Sequence, residues 1–136
     1  MAVVEELLRS EADGTISFGN HILEEKAKLE DFEHCGDLYK VKTYKTMTKL
    51  EKNGMFAYES VPGTSVSHFA ETADEVSFMV EGSEDAQITL GLNEDTEYEV
   101  FVDEVNIGKM KTNLSGKLNL SVEFSGTGKA SVKIKK

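Results

Sequence analysis

The chain contains no tryptophan, a single arginine (Arg9), a single cysteine (Cys35) and a single proline (Pro62) among its 136 residues. Each scarcity excludes something. One cysteine cannot build an internal disulfide framework and fits a reducing compartment. One arginine removes the planar, bidentate grip by which carboxylate and phosphate ligands are clamped. No apolar run reaches the roughly 18 residues of a spanning helix, so no membrane segment is expected. The opening MAVVEELLRSEADG carries Glu5, Glu6 and Glu11 where a signal peptide needs a basic start and an apolar stretch. The expectation is therefore a cytoplasmic protein, with export by another route left open. HExxH, CxxC, GxSxG and a phosphate-binding glycine loop are all missing.

What is present is acid and alternation. The formal net charge is −10, which argues against nucleic acid and anionic membranes as partners. The charge comes in blocks: residues 1–37 carry net −7, 38–52 net +4, 53–108 thirteen acids and no Lys or Arg, and 109–136 net +6. Blocks of this kind either pair across neighbouring strands or face a second copy stacked head to tail. The lysine-rich stretch 40–52 reads as an edge strand kept solitary by its charge.

The C-terminal half alternates with period two. Val76, Phe78 and Val80 share a face, as do Ala86, Ile88 and Leu90; Tyr98, Val100 and Val102; Leu118, Leu120, Val122 and Phe124; and Ala130, Val132 and Ile134. Each run has one apolar face and one rich in Glu, Ser, Thr and Lys, the pattern of half-exposed antiparallel sheets. Turn chemistry separates the runs at 82–85, 93–95 and Ser125-Gly126-Thr127-Gly128. Upstream, Asn53-Gly54 predicts a two-residue hairpin loop pairing Lys52 with Met55, Leu50 with Ala57 and Lys49 with Tyr58, with Phe56 and Tyr58 on one face. Gly19-Asn20 suggests a second tight hairpin, Gly36-Asp37 a strand boundary, and Pro62-Gly63 a type II turn. Residues 2–11 are the one stretch with helical spacing. The predicted architecture is one domain over 1–136, an all-β antiparallel sandwich, Ig-like or jelly-roll-like, with at most one short N-terminal helix.

Chemistry-bearing residues are sparse. His21, His34 and His68 are too scattered for a metal centre, and no metal or cofactor is expected. His34 and Cys35 would point to opposite faces of an extended strand and so form no nucleophile–base pair. Asn93-Glu94-Asp95 and Asp103-Glu104 read as turns rather than calcium loops. Phe101, between inward-facing Val100 and Val102, is the candidate exposed apolar spot. Phe101, Met110 and Met55, with Lys40 and Lys42, are the candidate interface residues of a self-associating module.

TEYEVFVDEVNIGKMKTNLSGKLNLSVEF, a Tyr-x-Val strand, a short turn, a strand and a Gly-Lys-Leu opening another, resembles the Ig-like sandwich modules attached to many bacterial carbohydrate-active enzymes. More widely, GDLYKVKTYKTMTKLEKNGMFAYESVPGTSV with VNIGKMKTNLSGKLNLSVEF resembles a family of small bacterial proteins of unassigned function, some labelled endosialidases. The resemblance implies an all-β module in a carbohydrate setting and brings no catalytic motif. Sialidases clamp the substrate carboxylate with three arginines, and Arg9 stands alone here. The expected function is a non-catalytic binding or assembly module that forms a homo-oligomer, with a glycan or protein as ligand. The alternative is a carbohydrate-binding or glycosidase-like protein using surface carboxylates.

Overall fold

The computed structural model describes residues 3–124 and 128–136, which form strands joined by turns and loops, without a helix. In chain order the strands are β1 (Leu8–Ser10), β2 (Ile16–Phe18), β3 (Ala27–His34), β4 (Asp37–Tyr44), β5 (Met47–Lys52), β6 (Met55–Val61), β7 (Ser65–Glu71), β8 (Glu75–Glu81), β9 (Ala86–Gly91), β10 (Glu97–Val102), β11 (Val105–Lys111), β12 (Lys117–Val122) and β13 (Lys129–Lys135). They make two antiparallel sheets, ordered β1-β2-β7-β8-β13-β10-β11 (sheet A) and β12-β9-β6-β5-β4-β3 (sheet B). β8 pairs with β13 in one sheet and β9 with β12 in the other, so chain neighbours β8 and β9 lie in different sheets, as do β12 and β13.

Alternation drives this arrangement. Val76, Phe78, Ile88, Val100, Leu120, Val122 and Ile134 are all buried in a core drawn from both sheets. Phe18, Phe69 and Phe78 of sheet A meet Tyr58 of sheet B, with ring centroids 5.2–6.5 Å apart and mostly edge-on, the geometry that aromatic quadrupoles favour.

At one end the inner face of sheet B is polar. Thr43, Thr48 and Ser60 are buried neighbours in one row across β4, β5 and β6. Thr48 donates its hydroxyl to the Thr64 carbonyl (2.7 Å) and accepts the Thr64 N–H (3.1 Å). Thr43 therefore donates to Thr48 (2.8 Å) while accepting the Asn20 N–H (2.9 Å). The Thr64 hydroxyl bonds Tyr58 and Ser60, each at 2.7 Å. No buried side-chain polar atom of the described residues lacks a partner, so this row costs no unpaired group.

Several local expectations are corrected. The N-terminal segment is not helical: Leu7 takes φ +72°, its N–H closes a turn on the Val4 carbonyl, and Leu8–Ser10 pairs with β2. Sheet pairing and burial of Val4 and Leu8 override a helical spacing too short to stand alone. Gly19-Asn20 opens a loop running to β3 rather than a hairpin. The Asn53-Gly54 turn forms with positive φ at both residues and pairs Lys52 with Met55. Beyond it the register shifts, so that Leu50 faces Tyr58 and Lys49 faces Glu59. Ala57 is the extra residue of a bulge, which sends Tyr58 inward and Phe56 outward. Gly63 does not take the positive φ of a type II turn, and the Val61–Pro62 peptide is cis. Cys35 and Gly36, both at positive φ, form the turn between β3 and β4. Of Ser125-Gly126-Thr127-Gly128, only Gly128 lies among the described residues.

Candidate functional site

Because Phe78, Val132 and Val100 point inward, their strand neighbours build the outer face of sheet A. Ser77, Lys133 and Phe101 share one row across β8, β13 and β10, and Met79 faces Ser131 in the next. The small serines sit between taller neighbours, leaving an open groove of about 510 Å³ whose lining includes Met79, Phe101, Ser77, Ser131 and Lys133.

Two irregularities finish its ends. β7 carries an extra residue between Ser67 and Ala70. There His68 takes φ +53° and faces out while Phe69 is buried. Its backbone N–H donates to Ser17 Oγ (3.2 Å), and the Ser17 hydroxyl in turn donates to Glu11. The imidazole Nδ1 lies 3.1 Å from Asp13 Oδ2. That contact assigns a proton to Nδ1 and sets the ring at the groove margin. The hydroxyl and N–H of Thr15, then His68, hold the Asp13 carboxyl below its ordinary value. At the other end, Asp103 and Glu104 form a tight turn, both at positive φ. Asp103 accepts the Ser131 N–H (3.0 Å) and returns its own N–H to the Ser131 carbonyl (2.9 Å). This pins the β10–β11 hairpin to β13 and sets Glu104 on the rim.

The groove thus offers hydroxyls, the ammoniums of Lys133 and Lys135, a carboxylate, an imidazole and the outward ring of Phe101. These are groups that hydrogen-bond and cover a polyhydroxylated ligand. Among the described residues no hydrogen bond joins His68 to Ser77 or Ser131.

The other candidates lie elsewhere. Phe101 is half-buried in the groove. Met110 pairs with inward-facing Tyr98 and is partly buried against the core. Met55 is 71% exposed beside the Asn53-Gly54 turn at the end of sheet B. Lys40 and Lys42 lie on the outer face of β4, an interior strand of sheet B, which corrects the edge-strand reading. These five residues form no single patch. Three of the four sheet-edge strands are blunted, since β1 has three residues and β3 and β11 are each bulged, whereas the edge strand β12 runs unbroken beside β9.

His34 and Cys35 do meet, contrary to the extended-strand expectation, because Cys35 occupies a turn at φ +50°. Its Sγ lies 3.5 Å from His34 Nε2. That nitrogen is 2.9 Å from the Gly14 carbonyl and must carry the proton to donate there. Nδ1 consequently accepts from Ser10 (2.8 Å), and the ring offers no base to the thiol. His34 is a strap between the β1 and β3 edges. His21 is buried, bonded through Nδ1 to Ser65 (2.7 Å), and held below its ordinary value by burial, with Glu81 acting oppositely. Among the described residues no three His, Cys, Asp or Glu side chains are grouped to hold a metal.

The charge blocks interleave in sheet A. Lys133 reaches Glu75 (3.5 Å), Lys109 Glu97 (3.8 Å) and Lys111 Asp95 (3.1 Å), and Lys129 faces Glu81 in register. β13 lies between the acidic strands β8 and β10, and β11 lies beside β10, which is the cross-strand pairing reading of the sequence. Comparison with protein-family models, with curated proteins and with solved structures found no match.

Proposed function

We propose that this protein is a non-catalytic binding module whose ligand, a neutral and hydroxyl-rich molecule of the oligosaccharide class, lies in the groove across β8, β13 and β10. The observation that carries this is the row Ser77–Lys133–Phe101 with Met79 and Ser131 beside it. Small hydroxyls form the floor and an aromatic ring with a thioether supplies apolar walls. Catalysis is the weaker reading. Glycoside hydrolysis needs two carboxyl groups roughly 5–9.5 Å apart across the substrate. Glu104 is the one acid in the groove lining, and the acids that touch lining residues are already engaged: Asp103 by the Ser131 N–H, Glu75 by Lys133, and Asp13 by Thr15 and His68. Self-association driven by charge is also weakened as a primary role, since the C-terminal lysines already have acidic neighbours in their own sheet.

The test is a panel of neutral oligosaccharides screened by calorimetry against the wild type and Phe101→Ala. At least one is expected to bind, and the substitution to weaken it. No binding across the panel, or binding indifferent to Phe101→Ala, would count against the groove. Release of reducing sugar would make the protein an enzyme instead.

A further inference from the structure

The outer face of sheet B breaks the rule that sheet A keeps. Lys28, Lys42 and Lys49 are direct cross-strand partners on β3, β4 and β5. Like charges placed opposite each other destabilise a sheet, yet they sit so in a chain of net charge −10. The register cannot slip to relieve them, because the next row inward is the buried Thr43–Thr48–Ser60 network. Lys42 and Lys49 do not guard an edge, since β4 and β5 are interior strands and only Lys28 lies on the edge strand β3. Glu30 approaches Lys28 (3.4 Å) and Lys40 (3.9 Å), and Glu51 approaches Lys49 (3.7 Å). Lys42, at the centre, takes part in no ion pair among the described residues.

The row continues through Glu59 to Thr89 and Asn119, hydrogen-bonded to each other at 2.6 Å, with the Gln87–Ser121 pair (2.6 Å) flanking it. One half of the face is therefore cationic and the other presents neutral amides and hydroxyls. Lys117 extends the positive charge to β12, its Nζ 4.7 Å from the centre of the Phe56 ring.

From this juxtaposition we infer that the outer face of sheet B is a second binding surface, for an acidic polysaccharide. Its carboxylates lie along Lys28, Lys42 and Lys49 and its hydroxyls over the Thr89–Asn119 side. Lysine ammoniums suit such spaced single charges, whereas dense phosphates are the province of arginine forks. Nucleic acid fits poorly on a further count. Single strands need free ring faces for base stacking, and Phe56 has Lys117 over it and the Gly91 backbone against it, where a Cβ would touch the ring at 3.2 Å.

The experiment measures retention of the full chain on polygalacturonate, with an oligothymidylate of matched charge as competitor, alongside thermal melts. Wild type is expected to bind at about 50 mM salt and to release by a few tenths molar, as screening shortens to within one strand spacing or so. Lys42→Gln should weaken binding about two- to five-fold, the range of one exposed charge contact, and should melt no lower than wild type. Glu59→Gln should strengthen binding by a similar factor. Phe101→Ala, in the groove of the opposite sheet, should leave polygalacturonate retention unchanged, which keeps this surface distinguishable from that site. Absence of retention at low salt, equal binding of Lys42→Gln, or preference for the oligothymidylate would overturn the inference. So would a lowered melting temperature of Lys42→Gln with unchanged retention, since that assigns the row to folding.

Discussion

Both sheets carry lysines on their outer faces, and they place them differently. In sheet A, Lys129, Lys133 and Lys135 of β13 face Glu81, Ser77 and Glu75 of β8, and Lys109 and Lys111 of β11 face Glu99 and Glu97 of β10. In sheet B, Lys28, Lys42 and Lys49 face one another. The inner faces differ as well: the centre of sheet A is apolar, whereas sheet B carries the Thr43–Thr48–Ser60 row. The lesson is that cross-strand register, rather than net composition, decides whether a charge meets its opposite within the sheet or its like.

If the sheets differ in polar groups but contribute alike to the apolar core, large truncations in each should cost alike. Leu120→Ala in sheet B and Phe78→Ala in sheet A, both buried, should each lose about 2–5 kcal/mol in urea unfolding. A loss below about 1 kcal/mol for either would show that one sheet is loosely packed. Next in size is the polar end of sheet B. Tyr58→Phe keeps the ring and removes the hydroxyl that bonds Thr64, which should cost about 1–3 kcal/mol through the partner left short. An unchanged stability would mean that the network re-pairs without it.

A smaller effect concerns pH. Burial lowers the folded-state value of His21 from 6.5. The unfolded chain then binds the proton more readily, so the stabilising contribution is full above about pH 6.5 and is lost as pH falls toward the folded value. Melting temperature should decline from pH 7.5 to 5.5, and His21→Gln should flatten the decline. A slope that survives the substitution would place the titration on other groups. Smallest of all is the surface contrast. Lys133→Gln removes the ion pair with Glu75 and should destabilise by up to about 1 kcal/mol, while Lys42→Gln removes like-charge neighbours and should not. Equal effects in chemical unfolding at low salt would erase the distinction between the faces.

How much of this was legible in the sequence depends on range. The five C-terminal runs, the core residues Phe78, Ile88, Val100, Leu120 and Val122, and the Asn53-Gly54 turn follow from local alternation and turn chemistry. Phe101 was legible for the same reason, as the odd apolar residue on a polar face. Bulges were not. The extra residue at Ala57 reversed the side on which Phe56 lies, and the one at His68 carried an imidazole to the groove. A bulge is fixed by pairing to strands distant in the sequence, and no period betrays it. Strand order was equally hidden, so lysines that read as edge guards lie inside sheet B. Ser77 and Ser131 left only a faint trace, as small residues on outward positions whose neighbours two along are large, namely Met79 and Lys133. The helical spacing of residues 2–11 misled because burial against β2 outweighs a propensity spread over so few residues.

The most direct test of the binding reading is amide chemical-shift mapping while the neutral oligosaccharide selected from the panel is titrated into the isotopically labelled protein. The account predicts saturable shifts confined to Ser77–Met79, Ser131–Lys133, Phe101 and the flanking His68 and Glu104, with β4 and β5 unmoved. Shifts centred on β4 and β5, or a saturable interaction that leaves the outer face of sheet A silent, would contradict it.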